Sequence, residues 1–197
     1  STWRNAYVNP SVSLSDTGNS NLSRVHYRWT TSSEQPSSGW SAWDSSINTA
    51  SSAAVSYTQA NAGQWYLHIE VEDVAGNIRY RNSGPYKIDM TAPSGSIVVN
   101  NDDVSTPRQA VTLSLTYSDS ESGVKEVSYK NQGETNYSAV ELPQATSSWT
   151  LAPYVGPDGE QKRVYYKVTD NAGNSSVFSD TIMLDPRTTL KAAAVEP

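Results

Sequence analysis

The chain is written twice. "GQWYLHIEVEDVAGN" at residues 63–77 returns as "QKRVYYKVTDNAGN" at 161–174, with Asp73 on Asp170, Val71 on Val168 and Leu67 on Val164, each 97 positions later. "VSLSDTGNSNLSRVHYRW" at 12–29 returns as "LSLTYSDSESGVKEVSYK" at 113–130. There Asp16 falls on Asp119 after a step of 103, while Val25 and Tyr27 fall on Val127 and Tyr129 after 102. Asp89 in "YKIDMTAP" and Asp185 in "IMLDPRT" close the two units, 96 positions apart. The drift in offset is what loops of unequal length produce. A repeat of this length makes each copy a domain that must bury its own core. The expected boundaries are residues 1–90, 91–186 and a tail at 187–197.

Within each copy, apolar and polar residues alternate. Trp65, Leu67, Ile69 and Val71 fall on one side of a strand, and Tyr66, His68, Glu70 and Glu72 on the other. Val111, Leu113, Leu115 and Tyr117 repeat the pattern. With 6 Trp and 12 Tyr against a single Phe and two Met, and with Ser, Thr, Val and Asn common, the composition suits strands and turns rather than helices. In the second copy the pattern places strands near 95–99, 110–118, 124–130, 137–141, 147–151, 162–169 and 177–184. Seven short strands with turn signals between them point to an all-β chain of two tandem immunoglobulin-like β-sandwiches, with a small barrel as the alternative. The first copy is short. Ser1 precedes Asp16 by 15 residues, whereas 26 separate Pro93 from Asp119. The first sandwich is therefore expected to have a short or displaced first strand, and the chain to be a piece of a longer protein.

The formal charge of −6 divides as 6 basic and 7 acidic residues before residue 90, and 8 and 13 after it. Neither half offers the basic stripe that nucleic acid needs. There is no cysteine, which removes disulfides, thiol catalysis and Cys-zinc sites. No apolar run is long enough to insert into a membrane. His26 and His68, the only histidines, sit apart on strands and point away from the apolar stripe, so they read as solvent-facing residues. A Ser-His-Asp site has no sequence support, and the chain is not expected to be an enzyme.

Three features carry the candidate sites. Asp-x-Ala-Gly-Asn, seen twice, reads first as a turn: Asp accepts from amides just ahead of it, and Gly takes the left-handed backbone. A functional reading stands beside it. Asp89, Asp119, Glu121 and Asp170 could converge where the two units join and hold calcium, a hard cation that wants several oxygens. Trp40 and Trp43 lie three apart on an expected short strand, an odd spacing that places them on opposite faces. One of them would then be free to stack on a sugar ring; the alternative, which the usual burial of large aromatics favours, is that both pack against the sandwich edge, while Trp29 and Trp65 belong to the core. "MTAPSGS" at 90–96 is short and holds one proline, so it should restrict the joint. "PRTTLKAAAVEP" reads as a linker with a helical turn near "LKAAAV".

"YRWTTSSEQPSSGWSAW", "GQWYLHIEVEDVAGN" and "YKIDMTAP" resemble a bacterial immunoglobulin-like repeat common in Gram-positive surface proteins. "LTYSDSESGVKEVSY", "SSWTLAP" and "KRVYYKVTDNAGNSS" resemble its companion fibronectin-III-like module. Such modules join catalytic and binding domains in S-layer-type proteins and in polysaccharide-degrading enzymes such as surface chitinases. The resemblance implies an extracellular or cell-surface location, the other domains of the same polypeptide as partners, and a non-catalytic spacer role. The rival expectations are an accessory module for polysaccharide or cell wall, centred on the tryptophans, and an adhesive module that binds protein through a sheet edge.

Overall fold

The computed structural model describes residues 1–156 and 158–187. It divides into two compact units, the first spanning Ser1–Thr91 and the second beginning at Ala92. The tail with "LKAAAV" lies outside the described residues.

Unit 1 contains β1 (Trp3–Arg4), β2 (Ser11–Ser15), β3 (Leu22–Thr30), β4 (Ser52–Ser56), β5 (Gly63–Asp73) and β6 (Ile78–Ile88). One sheet has the order β1-β6-β5-β3 and the other is the pair β2-β4. Leu14 and half-buried Val12, Ala53 and Val55 of the small sheet meet Leu22, Val25, Leu67 and Ile69 of the large one. Two sheets sharing one apolar layer make a sandwich.

Unit 2 contains β7 (Ser94–Val99), a 3-10 turn at Asn100–Asp102, β8 (Ser105–Thr106), β9 (Ala110–Ser118), β10 (Val124–Asn131), β11 (Thr146–Thr150), β12 (Glu160–Asp170) and β13 (Ser175–Leu184). Its sheets are β10-β12-β13-β8 and β11-β9-β7. Ile97, Val99, Val111, Leu113 and Leu115 from one pack against Val127, Tyr129, Val164, Tyr166, Val168, Ile182 and Leu184 from the other. β12 alternates buried and half-exposed residues along nearly its whole length, as a strand with one core face must.

The short first copy has a structural counterpart. In unit 2, β7 pairs with β9 through six residues, and β8 then pairs in parallel with β13. In unit 1, β1 pairs in parallel with β6, as β8 does. No strand among the described residues corresponds to β7, so the smaller sheet has two strands rather than three. Two expectations for unit 2 change. Residues 137–141 form no strand of their own, only an isolated bridge between Val127 and Glu141. β8 went unforeseen because two residues are too few to show alternation.

Candidate functional site

The Asp-x-Ala-Gly-Asn turns are built by their own first residue. The Asp170 carboxylate accepts hydrogen bonds from the backbone N–H groups of Ala172, Gly173 and Asn174, at 2.9, 2.7 and 2.8 Å, through one oxygen. Its other oxygen accepts from the Asn174 side-chain amide at 2.8 Å. Asp170 is fully buried, so these donors replace the water the carboxylate has lost. Asp73 repeats the plan with fewer bonds, accepting from Asn77 N at 2.8 Å and Asn77 Nδ2 at 2.7 Å. Gly76 and Gly173 stand at φ +85° and +96°, the left-handed region that glycine enters at no steric cost. In unit 2 the turn is also tied sideways, because Asn171 Nδ2 donates to the carbonyls of Ser122 and Gly123.

The four acids of the calcium expectation fall as follows. In unit 2, Asp119 follows β9 and accepts from Ser122 N at 2.9 Å and Gly123 N at 2.7 Å. Carboxylate oxygens of Asp119 and Asp170 lie within 4.8 Å of each other. Glu121 is exposed on the same turn. In unit 1, Asp89 is buried one residue beyond β6, and its carboxylate accepts from Thr91 N at 2.9 Å. Unit 1 has its own version of the Asp119–Asp170 pair, for the Ser20 hydroxyl lies 3.0 Å from an oxygen of both Asp16 and Asp73. These two acids line a polar cleft of 510 Å³ with Asn77 and Arg79.

Hydrogen bonding holds these unit 1 carboxyls down. Asp73 lies below its ordinary 3.8 chiefly through the Asn77 side chain and backbone, Asp16 through the Gly18 backbone N–H, and Asp44 through Ser46. A carboxyl depressed in the folded state contributes stability above its unfolded value and loses it as pH falls through the folded one. The melting midpoint of unit 1 should therefore hold from neutral pH down to about 5 and fall below about 4. Asp73→Asn should flatten that acid limb, which a thermal melt series in pH checks.

Trp40 and Trp43 pack on protein side chains but not on opposite faces. Trp40 and Trp43 stack on the two sides of one imidazole: the His26 ring lies 3.7 Å from Trp43 and 4.5 Å from Trp40, within 8° of parallel to each. The Arg24 guanidinium sits 4.4 Å over Trp43, on the face His26 leaves open, since both could not occupy one side. Trp40 meets the edge of Tyr80. Glu72 binds Arg24 at 2.6 Å and Glu70 binds His26 at 2.8 Å. The opposite-face expectation fails because of a bulge. Ser41 N bonds Tyr27 O and Asp44 pairs with Val25 in both directions, so three steps on one chain oppose two on β3. An extra residue of this kind reverses the alternation and turns both indoles to the same side.

The same loop changes the histidines. Both point away from the core, yet neither faces solvent. His26 is 7% exposed and His68 is fully buried. Residues 31–43 fold over the outer sheet face: His68 Nε2 meets Ser32 O and the Thr30 hydroxyl, its Nδ1 meets the Tyr80 hydroxyl at 2.7 Å, and Gln35 Nε2 donates to Glu70. Trp29 packs on the core as expected, whereas Trp65 is half-buried, its indole N–H donating to the carbonyls of Asn61 and Ala62.

Paired sheets around one apolar layer in each unit define the class: an all-β chain with immunoglobulin-like β-sandwich folds. No family model matches the sequence, and no curated protein does. Among solved structures it is similar to the fibronectin(III)-like modules of Clostridium thermocellum CbhA, at 14% identity and a TM-score of 0.42, over 93% of this chain and 88% of that one. It is also similar to a tetra-tandem repeat from the extending region of a large adhesion protein (17%, TM-score 0.39), over 92% of this chain and 50% of that one. A third likeness is to SGBP-B of the Bacteroides ovatus mixed-linkage glucan utilization locus, solved with a mixed-linkage heptasaccharide (18%, TM-score 0.27), over 93% and 42%. These likenesses are distant, and the fold stands on the chain's own sheets. No helix among the described residues is long and apolar enough to cross a membrane.

Proposed function

We propose that the chain is a non-catalytic spacer of an exported multidomain bacterial protein, built to keep its length under tension. One observation supports this reading above the others. In each unit a short strand near the start runs parallel to the last strand: Trp3–Arg4 along Lys87–Ile88, and Ser105–Thr106 along Met183–Leu184. Backbone bonds extend each pairing, from Asp89 N to Arg4 O, from Met183 N to Val104 O and from Asp185 N to Thr106 O. When a unit is pulled by its ends, two such strands slide in opposite directions. The bonds between them are then loaded together, in shear, rather than broken one after another.

The chemistry of the side chains agrees with a passive role. His26 is held between two indoles and His68 is bonded through both nitrogens, so neither is free to move protons for a substrate. The acids at the turns are occupied by the amides of those turns. A direct test is Asp185→Pro, which removes the N–H donated to Thr106. The force that unfolds unit 2 from its ends should drop, while the melting midpoint moves little. An unchanged force would remove the mechanical reading.

A further inference from the structure

The two units carry the same outer sheet face with a different balance of charge. In unit 1 that face carries two carboxylates, Glu72 paired with Arg24 and Glu70 bonded to His26. The repeat places Lys167 at the position of Glu70 and Thr169 at that of Glu72. Both carboxylates are gone and one has become a cation, while Glu126, opposite Thr169, stands where unit 1 has Arg24.

What remains on unit 2 is a basic surface on an acidic domain. β12 presents Arg163, Tyr165 and Lys167 on its outward side, flanked by Lys130 opposite Tyr165 and Ser128 opposite Lys167 on β10, and by Thr181, Ser179 and Val177 on β13. Tyr137, which replaces Trp40, lies over this face: the Lys130 ammonium is 5.0 Å from its ring centre and the Lys167 ammonium 5.8 Å. Lys130 also stands 5.5 Å over Tyr165. Two ammonium groups thus lie near one ring, a concentration of positive charge that an anion would offset. Among the described residues none of Lys130, Arg163 and Lys167 has an ion-pair partner. Arg163 donates to the Ser179 hydroxyl and Lys130 to the Glu134 carbonyl. The carboxylates nearest in sequence are engaged, Glu126 by Lys125 and Glu134 by Asn131.

We propose that this face of unit 2 binds an acidic polysaccharide, a chain of uronic-acid type, by seating carboxylates on Lys130, Lys167 and Arg163 and sugar rings against Tyr137 and Tyr165. Charge complementarity names an anion, and the spacing names its kind. Along β12 the order cation, aromatic, cation recurs at every second residue, about 7 Å per step. That suits a chain that offers both carboxylates and hydroxyl-bearing ring faces along its length. A duplex nucleic acid carries charge far more densely than three separated cations can match. The spacer reading does not require this surface, and the surface does not depend on that reading.

The test is affinity electrophoresis of the whole chain in gels holding polygalacturonate, dextran, polyglutamate or duplex DNA, followed by calorimetry. Polygalacturonate should retard the chain, weakening steeply with salt, while dextran should not. Lys130→Gln with Lys167→Gln should raise Kd at least about tenfold, the loss of two charge-assisted contacts. Arg108→Gln, in the segment before β9 rather than on this face, should leave it unchanged. Near-ultraviolet circular dichroism establishes that the variants are folded. The proposal is overturned by absent retardation in polygalacturonate, by equal retardation of the double variant or in dextran, or by tighter binding to polyglutamate or DNA.

Discussion

Replacing Asp170 by alanine should cost unit 2 about 4 kcal/mol, because three backbone donors and one amide lose an ionised acceptor inside the protein. For a unit of this size that is on the order of 20 °C in melting midpoint. Asp170→Asn keeps the shape and one acceptor oxygen but sets its amide against the amide of Asn174, so it should cost less than alanine and more than nothing. Asp73→Ala, in the more open copy of the turn, should produce the smaller loss of the two alanine variants. The measurement is a chemical and thermal melt of each variant, read in the transition of the affected unit. A loss below about 1 kcal/mol for Asp170→Ala would mean the turn holds without its carboxylate.

Trp43→Ala should cost unit 1 about 3 kcal/mol, with loss of near-ultraviolet dichroism from the stack. Both faces of this indole are in use, one by His26 and the other by Arg24. Removing it uncovers the imidazole and leaves the guanidinium without a surface to lie on. Had Trp43 been a free platform for sugars, the same change would leave the melt untouched. The result therefore separates an indole that holds the domain together from one that waits for a ligand.

Much of this was legible in the sequence, for reasons the structure makes plain. Period-two alternation is local, so β9, β10, β12 and β13 were found close to their observed bounds. The Asp-x-Ala-Gly-Asn turns were legible because their bonds run from one residue to those just after it. The short start of unit 1 was legible by counting against unit 2. What could not be read depended on register. A one-residue bulge opposite β3 turned Trp40 and Trp43 to the same side, and nothing in "GWSAW" announces it. The burial of His26 and His68 required knowing that residues 31–43 fold over the sheet. The basic face of unit 2 draws Lys130, Lys167 and Tyr137 from separate segments, and it stands out only once Lys167 is set against Glu70 of the other copy.

The most direct test of the spacer account is the dependence of unfolding force on pulling direction in unit 2. The chain has no native cysteine, so handles can be placed at will. Ser94→Cys with Arg187→Cys loads the unit from its ends, along the parallel β8 and β13 strands. Asp158→Cys with Arg187→Cys instead pulls at the open end of the β12–β13 hairpin, where Glu160 pairs with Leu184, and peels β13 from β12 one bond at a time. The account predicts a clearly higher force for the first geometry, roughly twofold or more, because its ladder bonds share the load. Equal forces, or a lower force from the ends, would contradict it.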